Sequence, residues 1–222
     1  MDIKNELNDK GYIFIPKWNP ESSIEDLAKS LGHVTQVSEM FGHDKIPNIQ
    51  KLFPKKTSDS LKNQYSGYYG LNEFPLHTDL AHWSIPPKIL MLRCIKGFKE
   101  VSTKILPLKL IYNELSQKGI RRAVVSPRQR MQKSEICLLP LLFGGKKEQG
   151  IRWDSLFLVP QNEQAKIIKK TIEAKEVVEK AVDYKLIDSG DTLILNNHVN
   201  LHGRSSVPNE CCEREIERIY IN

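Results

Sequence analysis

The stretch "EFPLHTDLAHW", residues 73–83, places His77 two positions before Asp79. In an extended segment side chains i and i+2 share a face, so this imidazole and carboxylate converge on one point. Such a pair suits a divalent metal, and it suits equally a strand with nothing bound. With 27 acidic residues and six histidines in 222 positions, about 0.7 His-x-acid matches arise by chance, so the tripeptide is not specific alone. A second stretch, "DTLILNNHVNLHGRSSVPNECCEREIERIYIN", supplies what is missing. Asp191 to Leu195 reads as a buried strand, His202-Gly203-Arg204 follows, and Arg214 and Arg218 come later. A histidine-x-carboxylate pair on an early strand and one histidine on a late strand is the chain order of a facial triad. Such a triad holds non-haem Fe(II) and leaves coordination positions open.

The remaining histidines compete less well. His82 suits a place beside the triad or in the structure around it. His198 is four residues before His202, which on a strand means the same face but about 13 Å away. His33 and His43 have no partner pattern. "RWDSLFLVP" carries Arg152 and Asp154, either a grip on an amino-acid-like substrate or an ion pair at a strand end.

These groups need a scaffold that holds distant segments together. "GYIFIP" reads as a short strand bounded by Gly11 and Pro16. "NPESSIEDLAKSLGH" reads as a helix capped by Ser22 or Ser23, with a Ser22-x-x-Glu25 capping box and Gly32 at its end. Residues 41–70, rich in prolines, glycines and polar clusters, read as a long loop near a site. Strand signals then dominate: "KILMLRCI", "STKILPL", "EICLLPLLF", "GIRWDSLFLV", "DTLILNNHV" and "IERIYIN". Between them "NEQAKIIKKTIEAKEVVEKAV" has Ile167, Ile168, Ile172, Val178 and Val182 at helical spacing, a stripe expected to pack into the core. Many short strands with a few helices indicate a mainly β sandwich or jelly roll with helical buttresses. "FGGKK" reads as a turn without phosphate-loop spacing.

Composition narrows the class. A length of 222 residues suits one domain, residues 1–222, with a full core. No apolar run reaches the length of a membrane span, and "MDIKNELNDKGYIFIP" lacks a secretory signal pattern. Four scattered cysteines without a C-x-x-C pair read as free thiols in a reducing cytoplasm. The net charge of +6 is diffuse apart from "KGIRRAVVSPRQRMQK", residues 118–133, with six basic residues and no acid. Without aromatic interleaving or a nucleic-acid motif, that run reads as a solvated edge, and no nucleic-acid partner is expected.

"FPLHTDLAHW" together with "LNNHVNLHGR…REIERIYI" resembles the TauD/TfdA family of Fe(II)- and 2-oxoglutarate-dependent dioxygenases, above all the branch that hydroxylates amino acids and related small molecules. The resemblance runs over roughly Gly11 to Asn222. It implies a double-stranded β-helix, with His77, Asp79 and His202 as iron ligands. It implies Arg214 on the distal carboxylate of 2-oxoglutarate, Thr103 assisting (Ser102 being the neighbour it could be confused with), and O2 as the second cosubstrate. Arg218 aids the cosubstrate, contacts substrate or forms a structural ion pair, and the short His202–Arg214 interval leaves open which arginine is the anchor. The implied reaction is oxidation of a C–H bond in a small polar metabolite, with release of succinate and CO2. Two other classes remain: a non-catalytic metal- or nucleic-acid-binding jelly-roll module, and a cupin-like metal hydrolase or isomerase. Neither needs a cationic anchor for a dicarboxylate, so Arg214 discriminates. The oligomeric state is not legible.

Overall fold

A computed structural model describes residues 2–38, 46–128, 137–145 and 148–222. Two antiparallel sheets carry the architecture. The larger has the spatial order β1 (Tyr12–Ile15), β12 (Thr192–Asn196), β4 (Ile89–Lys96), β14 (Glu215–Ile221), β2 (Gln50–Leu52). The smaller has the order β11 (Val182–Tyr184), β5 (Thr103–Pro107), β13 (Asn200–Arg204), β3 (Phe74–His77). Further short strands, β6 (Val124–Pro127), β7 (Leu139–Pro140) and β10 (Leu158–Pro160), form a third sheet, and β8 (Leu142–Phe143) pairs with β9 (Gly150–Ile151).

The period-2 geometry of a strand sorts the apolar residues into three layers. Leu90, Leu92 and Cys94 of β4, Leu193 and Leu195 of β12, and Ile216 and Tyr220 of β14 pack with Ile105 of β5 in one buried cluster between the two sheets. Their neighbours Met91, Ile194, Ile219 and Ile221 face outward, onto Ile24, Leu27 and Ala28 of α2 (Ile24–Leu31). Behind the smaller sheet, Leu76, Leu106 and Leu201 meet Ile168 and Ile172 of α5 (Glu163–Ile172). Strands β4 and β12 are buried on both faces, which is why they read as continuous apolar runs.

Several local readings need correction. The helix at 24–31 is capped by Ser23, whose hydroxyl accepts from Asp26 N at 3.1 Å and donates to the Asp26 carboxylate at 2.7 Å, so the box lies one residue beyond Ser22-x-x-Glu25. The amphipathic run after Asn162 is two helices, α5 and α6 (Lys175–Val178), followed by β11. Ile168 and Ile172 are core, whereas Ile167 is exposed because it lies off the face that Ala165, Ile168 and Ile172 bury, and Val182 is exposed on β11, beyond the break at 173–174 that ends the helical phase. "EICLLPLLF" and "GIRWDSLFLV" each yield two short strands rather than one. The described part of the expected loop 41–70 contains β2 and a helix, α3 (Tyr65–Tyr69). In α3, a Cβ at Gly67 would meet Leu61 O at 2.1 Å, so glycine is kept despite its low helix propensity. The remaining helices are α1 (Ile3–Asp9) and α4 (Gln117–Arg122), and no helix among the described residues is long and apolar enough to cross a membrane.

Candidate active site

Strand β13 lies between β5 and β3, with His202 opposite both Ile105 and His77. Directly opposed residues share a face, so the two histidines of the early and late motifs become neighbours, their ring centroids 4.4 Å apart. Glycine at 203 permits the approach: a Cβ there would meet Phe74 O at 2.6 Å. Beyond the end of β3, Asp79 turns in beside them. Its Oδ1 lies 3.4 Å from His77 Nε2 and 3.7 Å from His202 Nε2, and the three ligand atoms all lie within 4.8 Å of one another. All three residues are buried.

The backbone around the motif is held from elsewhere. Thr78 points away from the site, bonding Trp153 O through its N–H at 2.7 Å while its hydroxyl accepts from Trp153 N at 3.2 Å. Asn197, fully buried in the turn between β12 and β13, accepts from Asp79 N at 2.9 Å and donates to Asp79 O and Pro87 O, each at 3.0 Å. Arg152, also fully buried, donates to Ala81 O at 3.0 Å, to Trp83 O, and to Ser84 O at 2.7 Å. Sequence reasoning missed the part played by Asn197, because nothing local marks a side chain that grips backbone 118 residues away. Replacing Asn197 by Ala strands three buried backbone groups. The expected cost is about 2–4 kcal/mol of stability, read from denaturant unfolding of the metal-free protein, with weaker metal binding as Asp79 loosens.

Electrostatics prepare the donors. His77 Nδ1 is 2.8 Å from Pro75 O, so Nδ1 carries a proton and Nε2 is the atom turned toward Asp79. Burial alone would lower His77, but the Asp79 carboxylate beside Nε2 raises it above its ordinary value. Burial, followed by the charge of His77, lowers His202 to about 3, which keeps its imidazole neutral. Burial alone would raise Asp79, but the Arg218 guanidinium above all holds its carboxyl far below the usual range. Arg218 Nη1 and Tyr220 Oη both donate to Asp79 Oδ2, each at 3.0 Å. Oδ1 is thereby left facing the imidazoles. Two imidazoles and one carboxylate oxygen converging in this way are a donor set fitted to a divalent first-row metal.

Arg218 thus lies on Asp79, with its Nε 3.1 Å from Gln50 Oε1 on β2. Of the three roles open for it in the sequence, this geometry displays an ion pair. Arg214 differs. Its side chain is buried, its Nε has no hydrogen-bond partner, and it forms no ion pair among the described residues. Burial lowers it to about 10. A buried guanidinium without a counter-charge is costly and calls for an anion. Its neighbour in charge is Arg204, also lowered to about 10 by burial and then by Arg214. Arg204 is itself engaged, donating to Gly70 O at 3.0 Å and Asn72 O at 2.7 Å and lying 3.7 Å from the centroid of the Phe74 ring.

Thr103 opposes Arg204 across the β5–β13 pairing, so its side chain lies on the His202 face. Ser102 points elsewhere, donating to Asp183 at 2.7 Å. Thr103 is buried, and no hydrogen bond engages its hydroxyl among the described residues.

The other candidates separate clearly. Asp154 is buried, its Oδ1 accepting from Leu156 N and Phe157 N at 2.8 Å, and it forms no ion pair with Arg152 among the described residues. Tyr65 of α3 stacks on His77 at 4.3 Å between centroids, and its buried hydroxyl lies beside the Asp154 carboxyl. Burial and the nearby Asp154 charge push that phenol well above its usual range. His198 Nε2 is 2.8 Å from Pro86 O, and the ring meets Phe143 edge-on, a structural placement away from the triad. His82 lies 6.2 Å from Phe157, ring to ring, and His33 sits in a backbone pairing with Asn222. His43 lies outside the described residues, as does part of the basic run 118–133, in which Arg128 bonds Leu156 O. The described cysteines are free thiols, Cys94 and Cys211 buried and Cys137 exposed.

No family model matches the chain, and no curated protein matches it. Solved structures do match in fold. An asparagine oxygenase in complex with Fe(II), 2S,3S-3-hydroxyasparagine and succinate superposes with a TM-score of 0.75 at 16% identity, covering 99% of this chain and 77% of that one. The non-heme iron oxygenase OrfP, in complex with Fe, succinate and (3S)-hydroxy-L-Arg, gives 0.59 at 24% identity, over 82% of this chain and 57% of that one. PvcB, an Fe, alpha-ketoglutarate dependent oxygenase from an isonitrile synthetic pathway, gives 0.62 at 14% identity, over 99% and 78%. The chain therefore shares its fold with a group of non-haem iron oxygenases.

Proposed function

We propose that the protein is an Fe(II)- and 2-oxoglutarate-dependent oxygenase of the TauD/TfdA type, built on a double-stranded β-helix, which oxidises a C–H bond of an amino acid or related small metabolite. The observation that carries this reading is a pairing: a two-histidine, one-carboxylate cluster together with a buried arginine that has no counter-charge among the described residues. His77 and His202 through Nε2, and Asp79 through Oδ1, would hold the iron, which supplies the activation of O2 and the oxidation of the C–H bond, with 2-oxoglutarate ending as succinate and CO2.

The chain's own residues bind, orient and exclude water. Arg214 offers two parallel donors to the distal carboxylate of 2-oxoglutarate, and Thr103 offers a hydroxyl from a different strand. The apolar layer between the two sheets, with Ile105 opposite His202, keeps that end dry and strengthens the charge pairing. Tyr65, Phe157 and the Asp154 carboxyl form a partly aromatic wall beside His77. A carboxyl there suits a substrate amino group, and Arg218, only partly buried, suits a carboxylate. That reading agrees with the hydroxylated amino acids held by the asparagine oxygenase and by OrfP. Free thiols favour a reducing, cytoplasmic setting, and residues 1–222 act as one catalytic domain.

Two measurements test the proposal. Anaerobic addition of Fe(II) and then 2-oxoglutarate should produce the visible charge-transfer band of a chelated keto acid. Succinate release should then be stimulated by free amino acids and not by the same compounds lacking the amino group. Absence of the band would remove the reaction class, and stimulation only by nucleic acid or a folded protein would remove the substrate class.

A further inference from the structure

The inner face of β14 presents Ile216, Arg218 and Tyr220 in alternation, and the last two end on a single atom, Asp79 Oδ2. A carboxylate on a short side chain turns easily about its last torsion, so either oxygen, or both, can reach a metal. Here the choice is already made, since Oδ2 carries two donors at 3.0 Å and Oδ1 faces the two imidazole Nε2 atoms. Arg218 has other work: it also bonds Gln50, and its side chain is 23% exposed and open to a ligand. Tyr220 has none. It is 1% exposed, its ring lies in the layer between the sheets, and among the described residues its hydroxyl makes one hydrogen bond, to Asp79.

We propose that Tyr220 is a positioning residue which, with Arg218, locks Asp79 to offer one oxygen only to the metal. The inference rests on the metal reading above. It goes beyond that reading in assigning the ligation mode to a phenol on the last strand. A buried tyrosine hydroxyl finds some acceptor in most cores, so the discriminating property is not the bond itself but whether the metal senses it.

The test is Tyr220→Phe, which keeps the ring and removes one oxygen. Co(II) is the probe, titrated into metal-free wild type and variant, with the d–d absorption giving both affinity and coordination. A positioning role predicts Co(II) affinity weakened by about ten- to a hundredfold, the range for groups behind a ligand. It also predicts an altered band shape as Oδ2, now held by Arg218 alone, is less restrained from swinging onto the metal. A merely structural role would lower the melting temperature of the metal-free variant while leaving Co(II) affinity and spectrum as in wild type, and that result would overturn the inference. Wild type that takes up no Co(II) would instead overturn the metal reading beneath it, and the two failures are told apart by the wild-type titration alone.

Discussion

Asp79→Ala is expected to abolish Fe(II) binding and turnover and to destabilise the metal-free fold as well. The two losses have separate causes. The carboxylate is the anionic member of the triad, and without Oδ1 the imidazoles of His77 and His202 remain with no charge to balance a divalent ion. On the other oxygen, Arg218 and Tyr220 lose their shared acceptor. Breaking a buried ion pair costs roughly 3–5 kcal/mol, and Arg218 is exposed enough to reach water and keeps Gln50, so about 3 kcal/mol is expected here. Asp79→Asn separates the two effects. An amide oxygen can still accept from Tyr220, so that variant should recover part of the stability and none of the metal binding. The measurements are Fe(II) affinity by anaerobic titration and denaturant unfolding of the apo forms. An Asp79→Ala protein with normal turnover would end the triad assignment. His82→Ala and His198→Ala should be far milder, because neither side chain belongs to the cluster.

The contrast between these residues explains what the sequence could and could not reveal. His77 and Asp79 were legible as an imidazole and a carboxylate two positions apart, although a turn beyond β3, rather than an extended chain, brings Asp79 in, and His202 was legible from its chain order once His198 was set too far along the strand. The partners of Asp79 were not. Tyr220 is 141 residues away, Arg218 139 and Asn197 118, and each meets it only because β14 and the β12–β13 turn close against the end of β3. No local periodicity encodes such a meeting. The long strands β4, β5, β12 and β14 were legible from apolar runs, whereas "EICLLPLLF" misled. Pro140 cannot donate to a ladder; it ends β7, and the segment breaks just after it, before β8. Helix α3 went unread because it is short and carries Gly67, yet it brings Tyr65 onto His77. Arg152 shows the opposite error. Its type and place beside Asp154 suggested substrate or an ion pair, but the fold spends it on three carbonyls of the loop after the motif.

Arg214 gives the second large effect, and its sign differs between function and stability. In the folded protein its guanidinium is buried without a counter-charge among the described residues, an arrangement that costs stability until an anion arrives. Arg214→Met removes that unpaired charge and keeps much of the side-chain volume. The metal-free variant should therefore be at least as stable as wild type, while 2-oxoglutarate no longer binds. Arg214→Lys keeps a charge but loses the fork, and a lost charge-assisted hydrogen bond is worth roughly 1.5–3 kcal/mol, so 2-oxoglutarate affinity should weaken about ten- to a hundredfold. Fe(II) affinity should change little in either variant, since Arg214 takes no part in the contacts of Asp79, His77 or His202. Arg218→Lys is the comparison: held on Asp79 and Gln50, it should disturb metal binding more than cosubstrate affinity. The measurements are apo unfolding and 2-oxoglutarate affinity at saturating iron. A destabilised Arg214→Met that still binds 2-oxoglutarate would mean that the arginine is structural. A larger cosubstrate loss in Arg218→Lys than in Arg214→Lys would exchange their roles, placing the anchor on the strand position that also holds the metal carboxylate.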